Sequence, residues 1–122
     1  MDTLIPWREL MTYIGLAFSA QMLGGLSEAD IHYKKVDADY VKSVMTGTYT
    51  SCCNPFHKAS LSALKKRHGI DVPVDEKPPK VSLQKGDTLI VMQITGLPRE
   101  TREFTDEEVA QATFGFCEFK IQ

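Results

Sequence analysis

The stretch Thr50–Gly69, TSCCNPFHKASLSALKKRHG, passes from a strand into a helix, and the fold turns on how it is read. Thr50, Ser51 and the two cysteines end a run of small and β-forming residues, TYTSCC, which predicts a strand. Asn54 suits an N-cap because its side-chain oxygen accepts an orphan backbone N–H, and Pro55 suits the first helical position because no donor is needed there. An apolar stripe through Leu61 and Leu64 follows, basic residues occupy the negative end of the helix dipole, and Gly69 stands just past the last turn. A strand feeding a well-punctuated helix is a building unit of α/β domains. His57 falls in the first turn, where it either covers the helix end by packing or faces a phosphate.

On the N-terminal side, MTYIGLAF (11–18) predicts a buried strand, and SAQMLGGL a short helical turn capped by Ser19 and stopped by Gly24 and Gly25. ADIHYKKV predicts a half-buried strand at a sheet edge, marked by its lysines. DADYVKSVMTG predicts a helix capped by Asp37 or Asp39, with Tyr40, Val41, Val44 and Met45 on one face. On the C-terminal side, prolines and charges break any period over residues 70–86, a loop long enough to be either a packed excursion or a mobile lid. DTLIVMQIT (87–95) is the most hydrophobic strand and is expected at the centre of the sheet. After the polar loop GLPRETREF, Thr105 and Glu108 form a capping box that opens a helix, and FGFCEFKI closes the chain as a strand. Strands and helices alternate throughout. The expected fold is therefore a single α/β domain, a mixed β-sheet flanked by helices, over residues 11–122, preceded by an arm of residues 1–10.

Composition narrows the function. A chain of 122 residues with 43% hydrophobic and 25% charged residues fits one ordinary globular domain. Fourteen Lys and Arg against 16 Asp and Glu, net −2, provide no basic field for a long nucleic acid, whereas local groups can still hold a small anion. The longest apolar stretch, Tyr13 to Leu26, is broken by Ser19, Gln21 and glycines, short of the ~20 apolar residues that span a membrane. No membrane partner or signal peptide is expected, and a cytoplasmic location is. The 3 cysteines include an adjacent pair, Cys52 and Cys53, whose side chains point to opposite faces of a strand, one into the core and one partly exposed. No P-loop, GxGxxG, GxSxG, HExxH or cysteine–histidine metal spacing occurs, so neither a metal nor a cofactor is implied.

Three places can carry chemistry. The helix start at Asn54 and His57 offers backbone N–H groups and a positive dipole end to an anion, with His57 at its mouth as a proton donor. The loop after the central strand crowds Arg99, Glu100, Arg102 and Glu103, where guanidinium forks could grip phosphates; local pairing in solvent is the plainer reading. Ser19 opens a further turn directly after a strand. His32 and His68 read as solvated or as capping carbonyls.

The blocks YIGLAFSAQML, NPFHKAS, GIDVPV, KGDTLIVMQI, the Leu-Pro loop and FTDEEV, in that order, resemble the small viral ring nucleases that act as anti-CRISPR proteins against type III systems. The resemblance covers about residues 11–121. It implies an α/β homodimer that binds cyclic tetra-adenylate across the dimer interface and cuts it without metal. A ribose 2′-OH attacks the adjacent phosphate and a histidine protonates the leaving 5′ oxygen. His57 matches the family histidine, with Ser60 downstream and Asn54 beside it, and LAFS places Phe18, Ser19 and Ala20 in the ligand-binding turn. Two positions depart from the pattern. Phe56 stands where the family has glycine before its histidine, and Gly96-Leu97-Pro98-Arg99-Glu100 puts Gly96 at the catalytic arginine and Arg99 at the glutamate. Either Arg99 or Arg102 supplies the charge and Glu100 the carboxylate from shifted positions, or the motif is lost. The first alternative implies a ring nuclease and the second a sponge or sensor that binds cyclic oligoadenylate without cutting it. A third class is an adaptor that binds a host protein or DNA through the N-terminal arm or the proline-rich loop, with Lys65, Lys66 and Arg67 as a local contribution to DNA.

Overall fold

The computed structural model describes residues 10–77, 80–97 and 104–122. In chain order the elements are β1 (Thr12–Gly15), a 3-10 turn (Ala20–Leu23), β2 (Ile31–Val36), α1 (Ala38–Met45), β3 (Thr50–Ser51), a 3-10 turn (Pro55–His57) running into α2 (Lys58–His68), β4 (Thr88–Thr95), α3 (Asp106–Gln111) and β5 (Thr113–Ile121). The alternation of strand and helix is the expected one. The strands form one mixed sheet in the order β2-β5-β4-β1-β3. β1 runs parallel to both β3 and β4, and β5 runs antiparallel to β4 and β2.

β4 takes the central place because its residues are apolar on both sides, and period-2 alternation sends them to two different cores. Ile90 and Met92 join Ile14 and Phe116 beneath Val41 of α1 and Leu61 and Leu64 of α2. Leu89 and Val91 join Tyr13, Cys117 and Ile121 on the other face, covered by Met22 and Leu23 of the first 3-10 turn and by Val81 and Leu83. A smaller cluster, Ala63, Phe104 and Val109, locks α3 against α2. Each large side chain fully buried in this way contributes about 1.5–3 kcal/mol. The segment around residues 70–86 resolves in favour of packing over its described part: Ile70, Val72, Val81 and Leu83 are buried, and Leu83 N–H donates to the Met22 carbonyl at 2.7 Å.

Several elements differ from expectation in extent. β1 stops at Gly15 and β3 is confined to Thr50 and Ser51, because beyond those points each chain turns away from the sheet toward the element that covers it. Cys52 N–H still donates to the Ile14 carbonyl at 2.9 Å, the last rung of that pairing. β2 is the expected edge strand, yet it is not half-buried: Ile31 and Tyr33 are 37% and 51% exposed. The covering helices lie over the middle of the sheet, so β2 is sheltered only by neighbours such as Phe119, whose ring meets Tyr33 at 5.3 Å. Cys53 enters one core and Cys52 packs at the margin of the other, the opposed arrangement that an extended pair requires.

Two buried carboxylates organise polar groups within this frame. Asp87, wholly inaccessible, accepts Met11 N–H on Oδ1 and Gln84 N–H on Oδ2, both at 2.9 Å. Just before it Gly86 takes φ +92°, a left-handed backbone that strains any residue with a side chain. Glu118 lies under α1, accepts the Tyr40 hydroxyl, and has the Lys34 ammonium at 3.7 Å. That hydrogen bond, then burial, then the carboxylate charge push the Tyr40 phenol up to about 12.

Among the described residues no helix is long and apolar enough to cross a membrane. The arm expected at residues 1–10 lies, save for Leu10, outside the described residues.

Substitution of Asp87 by alanine strips both N–H groups of their acceptor and is expected to lower the unfolding free energy by about 3 kcal/mol, read as a shift in the urea midpoint. Because the Tyr40 value is raised above its unfolded value of 10, its stabilisation is complete below pH 10 and disappears between pH 10 and about 12. The tyrosinate absorbance of the native protein minus that of Tyr40→Phe is accordingly expected to rise with a midpoint near pH 12.

Candidate functional site

Because β3, β1 and β4 are parallel, their carboxyl ends emerge along one edge of the sheet. β1 leads to the Ser19 turn, whose Met22 and Leu23 pack on one face. β3 leads to Asn54 and α2, whose Leu61 and Leu64 pack on the other. Neighbouring parallel strands whose continuations part to opposite faces leave a crevice between them, the usual ligand position in open α/β sheets. A hollow of about 230 Å³ opens there, lined by Ser19, Gln21, Met22, Cys52, Lys80 and Val81.

The turn at the start of α2 is held by reciprocal bonds. Asn54 Oδ1 accepts Phe56 N–H at 2.9 Å, and His57 Nδ1 accepts Asn54 N–H at 3.3 Å, the arrangement of a capping box. The first turn is therefore wound as a 3-10 turn before α2 proper begins at Lys58. The acceptor role of Nδ1 assigns the proton of the neutral ring to Nε2 on its far side. His57 is half-buried and Phe56 beside it is 92% exposed.

The expected site residues separate into groups. Ser19 and Ala20 are exposed on the first turn, where Ser19 Oγ accepts Gln21 N–H at 3.2 Å. Phe18 is taken up in a stack with Phe119, ring centroids 4.7 Å apart. Asn54, His57 and Ser60 lie together on the second turn and the start of α2. Neither Asn54 nor His57 lines the hollow beside Ser19. Arg99, Glu100 and Arg102 lie outside the described residues, in the segment that follows the carboxyl end of β4. Gly96, at its start, takes φ +87°, a backbone that strains any other residue. The basic run at the end of α2 is committed within the chain: Arg67 Nη1 donates to the carbonyls of Val109, Ala110 and Ala112 at 3.0–3.2 Å, closing the C-terminal end of α3.

His68 departs from the solvated reading. Its ring meets Phe114 and Phe116 edge-on at 5.1 and 5.5 Å, and burial, then Arg67 and Lys42, push its pKa down. It borders a cleft of about 440 Å³ at the notch where β2 ends, with Lys35, Asp37 and Gln93 on the rim. The alternating aromatics of FGF at 114–116 were the sequence signal for this cleft.

Set beside solved structures, the fold is similar to that of B116 of Sulfolobus turreted icosahedral virus, with a TM-score of 0.66 at 17% identity over 90% of this chain and 98% of that one. The likeness is one of fold. No family model matches the sequence, and no curated protein matches it.

Cys52 in the crevice is the group most easily followed. Burial, and secondarily the neighbouring Cys53, push its thiol up to about 11. Its alkylation by iodoacetamide is expected to be slow at neutral pH and to rise about tenfold per pH unit until close to pH 11, followed by mass spectrometry of the peptide. A rate already maximal at pH 8 contradicts the buried setting.

Proposed function

We propose that the protein is a metal-independent ring nuclease, acting as a homodimer on cyclic oligoadenylate, with cyclic tetra-adenylate as its first substrate, in the cytoplasm of a host cell. The observation that carries this reading is the position of His57 on a capped turn that follows the carboxyl end of β3, the strand paired in parallel with the one that leads to the Ser19 turn. The order of sequence blocks described above and a fold like that of a viral protein support it.

In the proposed reaction a ribose 2′-oxygen attacks the adjacent phosphorus and loses its proton to water. The bond from phosphorus to the 5′ oxygen breaks, and His57 delivers the Nε2 proton to that oxygen. The products at each cut are a 2′,3′-cyclic phosphate and a 5′-hydroxyl. General acid help of this kind contributes about 10²–10⁴-fold. Donation requires the imidazolium, and protonating Nδ1 displaces the Asn54 N–H, so a bound phosphate has to compensate for the lost cap bond. Asn54, Ser60, Phe18, Ser19 and Ala20 belong to the ligand contacts in this reading, Arg99 or Arg102 to phosphate charge and Glu100 to orientation.

One pair of observations favours a second reading, a protein that sequesters the ring without cutting it. His57 Nδ1 is already engaged as a cap, and the left-handed backbone at Gly96 disfavours an arginine at the position where the resembling family carries its catalytic one.

Incubation with cyclic tri-, tetra- and hexa-adenylate in EDTA, resolved by chromatography, decides between the two. The expected result is linear di-adenylate ending in a 2′,3′-cyclic phosphate from the tetra-adenylate ring, with turnover reduced about 10²–10⁴-fold in His57→Ala while binding persists. Cleavage by the alanine variant at the native rate removes His57 from the mechanism. Stoichiometric recovery of intact ring after denaturation identifies a sponge.

A further inference from the structure

Resting on the nucleotide reading above, we infer that Phe56 is a stacking platform for one adenine of the ring, a specificity-determining residue beside His57. Its phenyl ring is 92% exposed, the most exposed of the large hydrophobic side chains among the described residues. The backbone that carries the ring is held in place, since Phe56 N–H is bonded to Asn54 Oδ1 and the same asparagine's N–H binds His57 Nδ1. One capped turn thus carries an aromatic face and an imidazole side by side.

The surroundings of the ring identify what it meets. Ile31 and Tyr33, also exposed, lie on β2 at the opposite edge of the sheet from β3, and Leu10 precedes β1 at the end away from the strands' carboxyl termini. Among the described residues Phe56 therefore adjoins no other large exposed hydrophobic side chain, whereas a protein interface carries a contiguous apolar patch at its centre. Its neighbours along the chain are Asn54, Pro55, His57 and the exposed Lys58. A single aromatic face among hydrogen-bonding and cationic side chains fits a nucleobase, with the lysine toward the phosphates.

The test measures equilibrium binding of cyclic tetra-adenylate's 2′-deoxy analogue, which lacks the attacking hydroxyl, to the native protein and to Phe56→Ala, Phe56→Leu and Phe56→Trp. Cleavage of the ribose ring is run beside it. Both non-aromatic variants are expected to bind roughly tenfold to a hundredfold more weakly with unchanged melting temperature. Phe56→Trp is expected to retain affinity, and its added fluorescence to be quenched by the ligand. Native protein that binds, with alanine and leucine variants binding equally well, overturns the stacking role and leaves the proposed function standing. A change of oligomeric state in Phe56→Ala reassigns the ring to a subunit contact and likewise overturns it. Native protein that neither binds the analogue nor cuts the ribose ring removes the proposed function and this inference together.

Discussion

The buried carboxylate of Asp87 is the interaction on which the register of the sheet depends. Its two oxygens take Met11 N–H ahead of β1 and Gln84 N–H from the preceding loop, while Thr88 N–H reaches the Met11 carbonyl and Ile121 N–H the Asp87 carbonyl. The starts of β1 and β4 and the end of β5 are thereby tied at one point. A slip of one residue at that point would exchange the two faces of β4, sending Ile90 and Met92 where Leu89 and Val91 belong. A charged group placed in the interior is tolerated only with such hydrogen bonds, so the same residue that sets the register also penalises the alternatives.

From that register follows the position of the candidate site. Thr12 opposite Thr88 and Tyr13 opposite Thr50 align three parallel strands so that their exits share an edge. Packing then divides the exits: Met22 and Leu23 draw the Ser19 turn over one face, and Leu61 and Leu64 draw α2 over the other. The crevice is a consequence of two apolar faces each needing cover. The capped turn bearing Phe56 and His57 inherits its place from this division, and its rigidity comes from Asn54, which bonds both residues.

Much of this was legible beforehand. Helix caps at Ser19, Asp37, Asn54 and Thr105 are local, since a side-chain oxygen and a backbone N–H two or three residues on satisfy each other wherever the chain lies. The central strand was legible because it is apolar on both faces. Illegible were the exposure of β2, which depends on how far the helices reach, and the lodging of His68 against Phe114 and Phe116, which are distant in sequence. The basic run at the end of α2 read as a complement to the helix dipole, whereas Arg67 closes α3 through three carbonyls more than forty residues on.

By itself, then, the chain of residues specified an α/β domain, the order of its elements, the centre and edge strands, and a histidine in the first turn of a capped helix, because caps, turns and periodicity act over a few residues. Tertiary packing settled which strands are parallel, which face each turn covers, and which polar groups share the carboxyl edge. Those outcomes depend on contacts between segments far apart in sequence, and burial of two apolar faces at once selects among them.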